Sequence, residues 1–129
     1  MKRIFLVEDD SIYAEFLKKS LEKDKLFLVQ VFYTAEDCLT ALDHEINPNF
    51  IIIDYFLPGM SGIEFYKKLR QQKVKTVTVM LSANTDGGLV VDLVKQGIRN
   101  YVVKDENVLE SLTSVLEENQ DKFIEIYSS

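Results

Sequence analysis

The sequence has one cysteine, one histidine and no tryptophan. A lone cysteine, Cys38, excludes an internal disulfide and points to a reducing compartment. A lone histidine, His44, lies between Asp43 and Glu45 at a predicted helix end. It reads as solvated and leaves no partner for a histidine metal site. No apolar run approaches the ~20 residues that span a bilayer. The opening Met1-Lys2-Arg3 meets Glu8 too soon to be a signal peptide. A cytoplasmic protein with no membrane partner is therefore expected. Basic residues are outnumbered, 15 against 21 acidic, giving a net charge of −6. That argues against a nucleic-acid partner or an anionic membrane surface. Neither a repeat nor a low-complexity tract nor a linker divides the chain, and 129 residues suffice for one core, so a single domain over 1–129 is expected.

What is present centres on Phe50-Ile51-Ile52-Ile53-Asp54-Tyr55-Phe56-Leu57-Pro58-Gly59-Met60-Ser61-Gly62. An unbroken apolar run reads as a strand buried on both faces, as in a parallel sheet covered by helices. Asp54 then sits at the strand's carboxyl end, the edge where open α/β sheets bind ligands. Ile4–Val7 is a second such run, and Leu26–Tyr33, the Val- and Thr-rich Val74–Leu81 and the short Ile98–Val103 also read as strands. Between them lie helical patterns. One follows Ser11, a candidate cap, with Ile12, Phe16, Leu17 and Leu21 at helical spacing. Another is capped by Thr34, with Ala35, Leu39 and Leu42 near one face and Cys38 half-buried. Ser61-Gly62-Ile63-Glu64 is a capping box that opens a third, to about Gln72. A fourth runs from Asn84 to Gln96, its first turns weakened by Gly87-Gly88 and its end marked by Gly97. The last starts near Asp105 or Asn107, with Val108, Leu112, Val115 and Leu116 as its stripe. Glu117-Glu118 and the Asp121–Glu125 segment read as a solvated face. Strict alternation predicts an α/β fold: five parallel strands, right-handed crossovers and helices on both faces.

In the flavodoxin-like strand order 2-1-3-4-5, the first and third strands are neighbours. Glu8, Asp9 and Asp54 would then share one crevice, with Ser82 and Lys104 approaching from the other side. Carboxylates ~5 Å apart repel by roughly 3 kcal/mol per pair at an effective dielectric of ~20. Either one of them stays protonated or a cation joins them. The candidate ligands are all oxygens, which favours Mg²⁺ or Mn²⁺ over zinc. A carboxylate nucleophile, a metal, a lysine and a hydroxyl are the parts of phosphoryl transfer.

With those residues in place, the sequence resembles the receiver domain of two-component response regulators (CheY-like). The likeness rests on Leu6-Val7-Glu8-Asp9-Asp10, Asp54 to Glu64, Leu81-Ser82-Ala83 and Gly97 to Lys104, in order and at family spacing. The resemblance implies that Asp54 accepts a phosphoryl group from a phosphohistidine on a sensor histidine kinase or phosphotransfer protein. It implies Mg²⁺ ligated by Asp9, Asp54 and the backbone carbonyl of Phe56, with Glu8 joining directly or through water. Ser82 would turn toward the phosphate and Tyr101 would swing inward. The face of the fourth helix, fifth strand and fifth helix would then be remodelled for an unknown downstream protein or a homodimer. Such a domain is a signalling switch rather than an enzyme. A phosphorylation-independent docking module and a Mg²⁺-dependent phosphohydrolase are the rivals, the latter lacking a DxD nucleophile pattern and a lid.

Two departures from the family pattern carry expectations. Asp105 stands where receivers usually have a proline in a cis peptide. A cis bond without proline costs about 2.5–4 kcal/mol, so a trans Lys104–Asp105 bond is expected. Phe56, bulky and apolar, is expected to shield the acyl phosphate from water, so Phe56→Asn would hasten its decay.

Overall fold

The computed structural model of the chain describes residues 1–42, 47–72, 74–83 and 87–118. The elements alternate without exception. They are β1 (Lys2–Val7), α1 (Ser11–Glu22), β2 (Phe27–Phe32), α2 (Ala35–Leu42), β3 (Phe50–Asp54), α3 (Gly62–Gln71), β4 (Val77–Ser82), α4 (Gly87–Lys95), β5 (Tyr101–Val103) and α5 (Val108–Glu118). The strands form one parallel sheet, as the alternation predicts, and its order is the expected β2-β1-β3-β4-β5. The expected solvation of His44, the start of the fourth helix at Asn84 and the Asp121–Glu125 segment lie outside the described residues.

All five residues of β3 are buried. Their alternation divides the core. Phe50 and Ile52 join Ile4, Leu6, Val79 and Leu81 against Leu17 and Leu21 of α1 and Leu112 and Leu116 of α5. Ile51 and Ile53 join Phe5, Val7 and Met80 against Cys38 of α2, Phe65 and Leu69 of α3 and Leu93 of α4. Fully burying each large aliphatic side chain is worth about 1.5–3 kcal/mol. The central strand therefore contributes to both halves of the core.

Some sequence expectations shift at the element edges. α1 buries Ala14, Leu17 and Leu21, while Ile12 is 83% exposed and Phe16 46%. Both stripes obey helical spacing, but Leu17 and Leu21 fix which one faces the sheet. The α1 cap is Asp10 rather than Ser11. Its Oδ1 accepts from the backbone N–H groups of Ile12 and Tyr13, both at 3.1 Å. Cys38 is fully buried rather than half-buried. β4 begins at Val77: the Val74 N–H turns back to the Leu69 carbonyl, and the Thr76 hydroxyl donates to the Pro48 carbonyl. β5 is also short. Ile98 is buried, but its N–H bonds to the Leu93 carbonyl, closing the end of α4. The Thr34 and Ser61 caps form as expected, to Asp37 N–H at 3.1 Å and Glu64 N–H at 3.2 Å.

Candidate functional site

The register of the sheet assembles the site. β1 pairs with β3 from Ile4↔Phe50 to Val7↔Ile53, so Glu8 emerges beside Asp54. β3 pairs with β4 up to Asp54↔Leu81, and β4 with β5 up to Ser82↔Val103, so Ser82 and Lys104 follow at the same edge. The backbone N–H of Lys104 donates to the Ser82 carbonyl at 2.9 Å, tying the two strand ends together. Glu8, Asp9 and Asp54 each present a carboxylate oxygen, and the three atoms lie within 4.8 Å of one another.

Behind Asp54 the backbone is tightly folded. Gly59 has φ +73°, a conformation that favours glycine, and lets the chain turn back toward α3. The Met60 N–H donates to Glu36 Oε1 of α2 at 3.1 Å, which pins the loop. Gly62 then starts α3 directly against the acceptor strand. A Cβ there would stand 2.6 Å from the Asp54 carbonyl oxygen. Asp54 Oδ1 accepts from the Phe56 N–H at 3.3 Å.

Glu8, Asp54 and Ser82 are the buried polar residues among those described. Lys104 Nζ donates to Glu8 Oε1 at 2.5 Å and to Asp54 Oδ2 at 3.0 Å. Glu8 Oε2, by contrast, is buried with no hydrogen-bond partner. Burial pushes the Glu8 carboxyl well above its usual range, and the Asp54 carboxyl pushes it further. Lys104 pulls it down without offsetting them. Burial depresses the Lys104 ammonium, but its hydrogen bonds to Glu8 and Asp54 outweigh that, so its pKa rises. The raised Glu8 carboxyl corresponds to the first of the two outcomes open to crowded carboxylates. An oxygen-only donor set with one orphaned buried oxygen also fits a hard divalent cation.

The remaining residues singled out from the sequence fall in different places. Asp9 is exposed at the mouth of the crevice, and Asp10 is occupied as a helix cap. The Phe56 side chain is 62% exposed, its ring edge-on to Tyr55 with centroids 4.7 Å apart. Tyr101 is half-buried against the core on the α3 and α4 side. The Lys104–Asp105 peptide is trans. Asp105 Oδ1 accepts the Asn107 N–H at 2.8 Å, so the residue standing in the proline's place organises the approach to α5. Sequence reasoning missed Tyr13, whose ring centroid lies 4.9 Å from Lys104 Nζ.

The chain matches the family model of the response regulator receiver domain over residues 4–117. It is 30% identical over 112 residues to the chemotaxis protein CheY of Listeria monocytogenes, covering 83% of this chain and 92% of that protein. It is 34% identical over 130 residues to the DNA-binding response regulator MtrA of Mycolicibacterium smegmatis. That match covers 98% of this chain but 56% of MtrA, so the chain spans about half the length of such longer relatives. Among solved structures, it superposes on the signal receiver domain of a putative Luxo repressor protein from Vibrio parahaemolyticus. The TM-score is 0.87 at 26% identity, covering 99% of this chain and 97% of that one.

Proposed function

The chain belongs to the response regulator receiver domain family, and from that premise we propose that Asp54 is its phosphoacceptor and that Mg²⁺ is held by Asp9, Asp54 and the Phe56 carbonyl, with Glu8 direct or through water. Domains of this family are two-component signalling elements that work with sensor kinases or phosphotransfer proteins, not classical enzymes. The carrying observation is the convergence of Glu8, Asp9 and Asp54 with Lys104, leaving Glu8 Oε2 buried and unpartnered.

In the proposed transfer an Asp54 carboxylate oxygen attacks the phosphorus of a phosphohistidine. The new O–P bond forms as the N–P bond breaks, and the imidazole leaves with the electron pair. When bound, Mg²⁺ supplies positive charge to the transferring phosphoryl oxygens. Lys104 exchanges its bond to Asp54 Oδ2 for one to a phosphoryl oxygen, and the Ser82 hydroxyl donates to another. The added charge shifts the population between two packings of the α4–β5–α5 face. Val91 and Val94, 52% and 63% exposed on α4, support that face as the place where a downstream protein or a second copy binds. No helix among the described residues is long and apolar enough to cross a membrane, which accords with action in the cytoplasm.

Intact mass after incubation with a small phosphodonor and Mg²⁺ tests the reading. Wild type should gain one phosphoryl group, and Asp54→Asn none. No gain in wild type selects the docking module, and sustained turnover of the phosphodonor selects the phosphohydrolase.

A further inference from the structure

Lys104 makes three described contacts at the site. Two are to Glu8 and Asp54, the groups proposed to hold the cation. The third is to the Tyr13 ring, with Nζ 4.9 Å from its centroid. A cation taking up carboxylate oxygens would compete with the first two contacts but not with the third. Tyr13 stands in the first turn of α1, and its ring packs against the core that α1 and α5 cover. Its hydroxyl is buried without a hydrogen-bond partner, so the polar end of the side chain does not explain its place. A lysine over an aromatic face is attracted by the ring quadrupole, more strongly where water is excluded.

Resting on the reading of Asp54 as acceptor, we infer that Tyr13 is a positioning residue. Its ring keeps the Lys104 ammonium at the mouth of the crevice when the carboxylates turn to a cation, so that it meets the incoming phosphoryl oxygen. The phenolic hydroxyl has no part in this.

The first test is made on wild type without metal. The Lys104 ε-methylene NMR signals should lie upfield of ordinary lysine positions, shielded by the ring. They should stay so in Tyr13→Phe and return to ordinary positions in Tyr13→Leu. Phosphoryl uptake from a small phosphodonor with Mg²⁺ should fall about 3- to 30-fold in Tyr13→Leu, and stay within about twofold of wild type in Tyr13→Phe. In a Lys104→Met background, Tyr13→Leu should cause no further slowing, because the partner of the ring is already gone. Ordinary Lys104 signals in wild type overturn the inference, whether or not the leucine variant folds. So does equal slowing in the phenylalanine and leucine variants, or slowing that persists without Lys104. If wild type takes up no phosphoryl group, the Asp54 reading fails on its own. The NMR signals then still decide the ring contact.

Discussion

The two ends of the sheet are built from the same five strands and differ in how their polar groups are satisfied. At the amino end a crevice of about 270 Å³ lies between α3, β4 and the turn before β5, lined by Tyr66, Arg70, Thr76, Arg99 and Asn100 among others. It offers room and two guanidinium groups, yet most of these side chains are already engaged. Arg70 Nη1 donates to the Gln96 carbonyl at 3.1 Å, and Tyr66 to the Gly97 carbonyl at 3.0 Å. Thr76 donates to the Pro48 carbonyl at 2.9 Å, and Asn100 to the Thr78 carbonyl at 3.3 Å. The carboxyl end crowds three carboxylates around one lysine and leaves a buried oxygen unmatched. Native proteins rarely leave buried polar groups unpaired, so the carboxyl end stands out by its incomplete bonding. Unmet bonding, rather than open volume, separates the two ends.

The sharpest way to break this contrast is to supply what the carboxyl end lacks. Glu8 has its carboxyl raised from 4.5 to about 8, chiefly by burial. Between those values the folded protein keeps a proton that the unfolded chain has released. In the absence of metal its stabilising contribution is therefore whole below about pH 4.5 and is lost as pH rises through about 8. The slope is up to ~1.4 kcal/mol per pH unit. Mg²⁺ should displace that proton, flatten the slope and add stability by mass action. Glu8→Gln should flatten it without metal. Urea unfolding at pH 5, 6, 7 and 8, with EDTA or with Mg²⁺, reads all three. A slope unchanged by Mg²⁺ and by Glu8→Gln would mean that the crowding lies elsewhere.

Next in size is the backbone behind the acceptor. Gly62→Ala sets a Cβ against the Asp54 carbonyl and Tyr55 Cα, backbone atoms that cannot swing aside. The expected loss is about 1–3 kcal/mol in denaturant unfolding. Phosphoryl uptake should slow as well, because relief of the clash must displace Asp54. A destabilised variant with wild-type uptake would show that the acceptor's position is less tightly specified than the packing suggests.

Legibility in the sequence follows from how local each signal is. The sheet was legible because β3 is a short, unbroken apolar run rich in β-branched isoleucine, which suits a strand covered on both faces. Glu8, Asp54, Ser82 and Lys104 were legible because each stands at the end of such a run, and one strand order brings those ends together. The inner face of α1 was not: Ile12 with Phe16, and Leu17 with Leu21, obey the same periodicity. Only packing on the sheet separates them. Residues 74–76 look like strand by their Val and Thr content, yet the Val74 N–H turns back to the Leu69 carbonyl and the ladder starts at Val77. Tyr13 was hidden because its partner, Lys104, lies at the far end of the chain, and no local pattern records a contact that the fold alone creates.

The smallest effect tests the other half of the comparison. Thr76→Val keeps side-chain shape and β-branching but removes the hydroxyl that serves the Pro48 carbonyl in a partly buried place. A lost hydrogen bond of this kind costs about 1 kcal/mol, which urea unfolding resolves. The pairing of Asn49 on either side should keep the strand starts in register. Its N–H donates to the Arg3 carbonyl at 2.9 Å, and the Val77 N–H donates to its carbonyl at 3.2 Å. The strand ends carrying Glu8, Asp54 and Ser82 should then stay where they are, and phosphoryl uptake should match wild type. If uptake slowed along with the loss of stability, a bond at the amino end would be setting geometry at the carboxyl end. The two ends would then have to be treated as one coupled device.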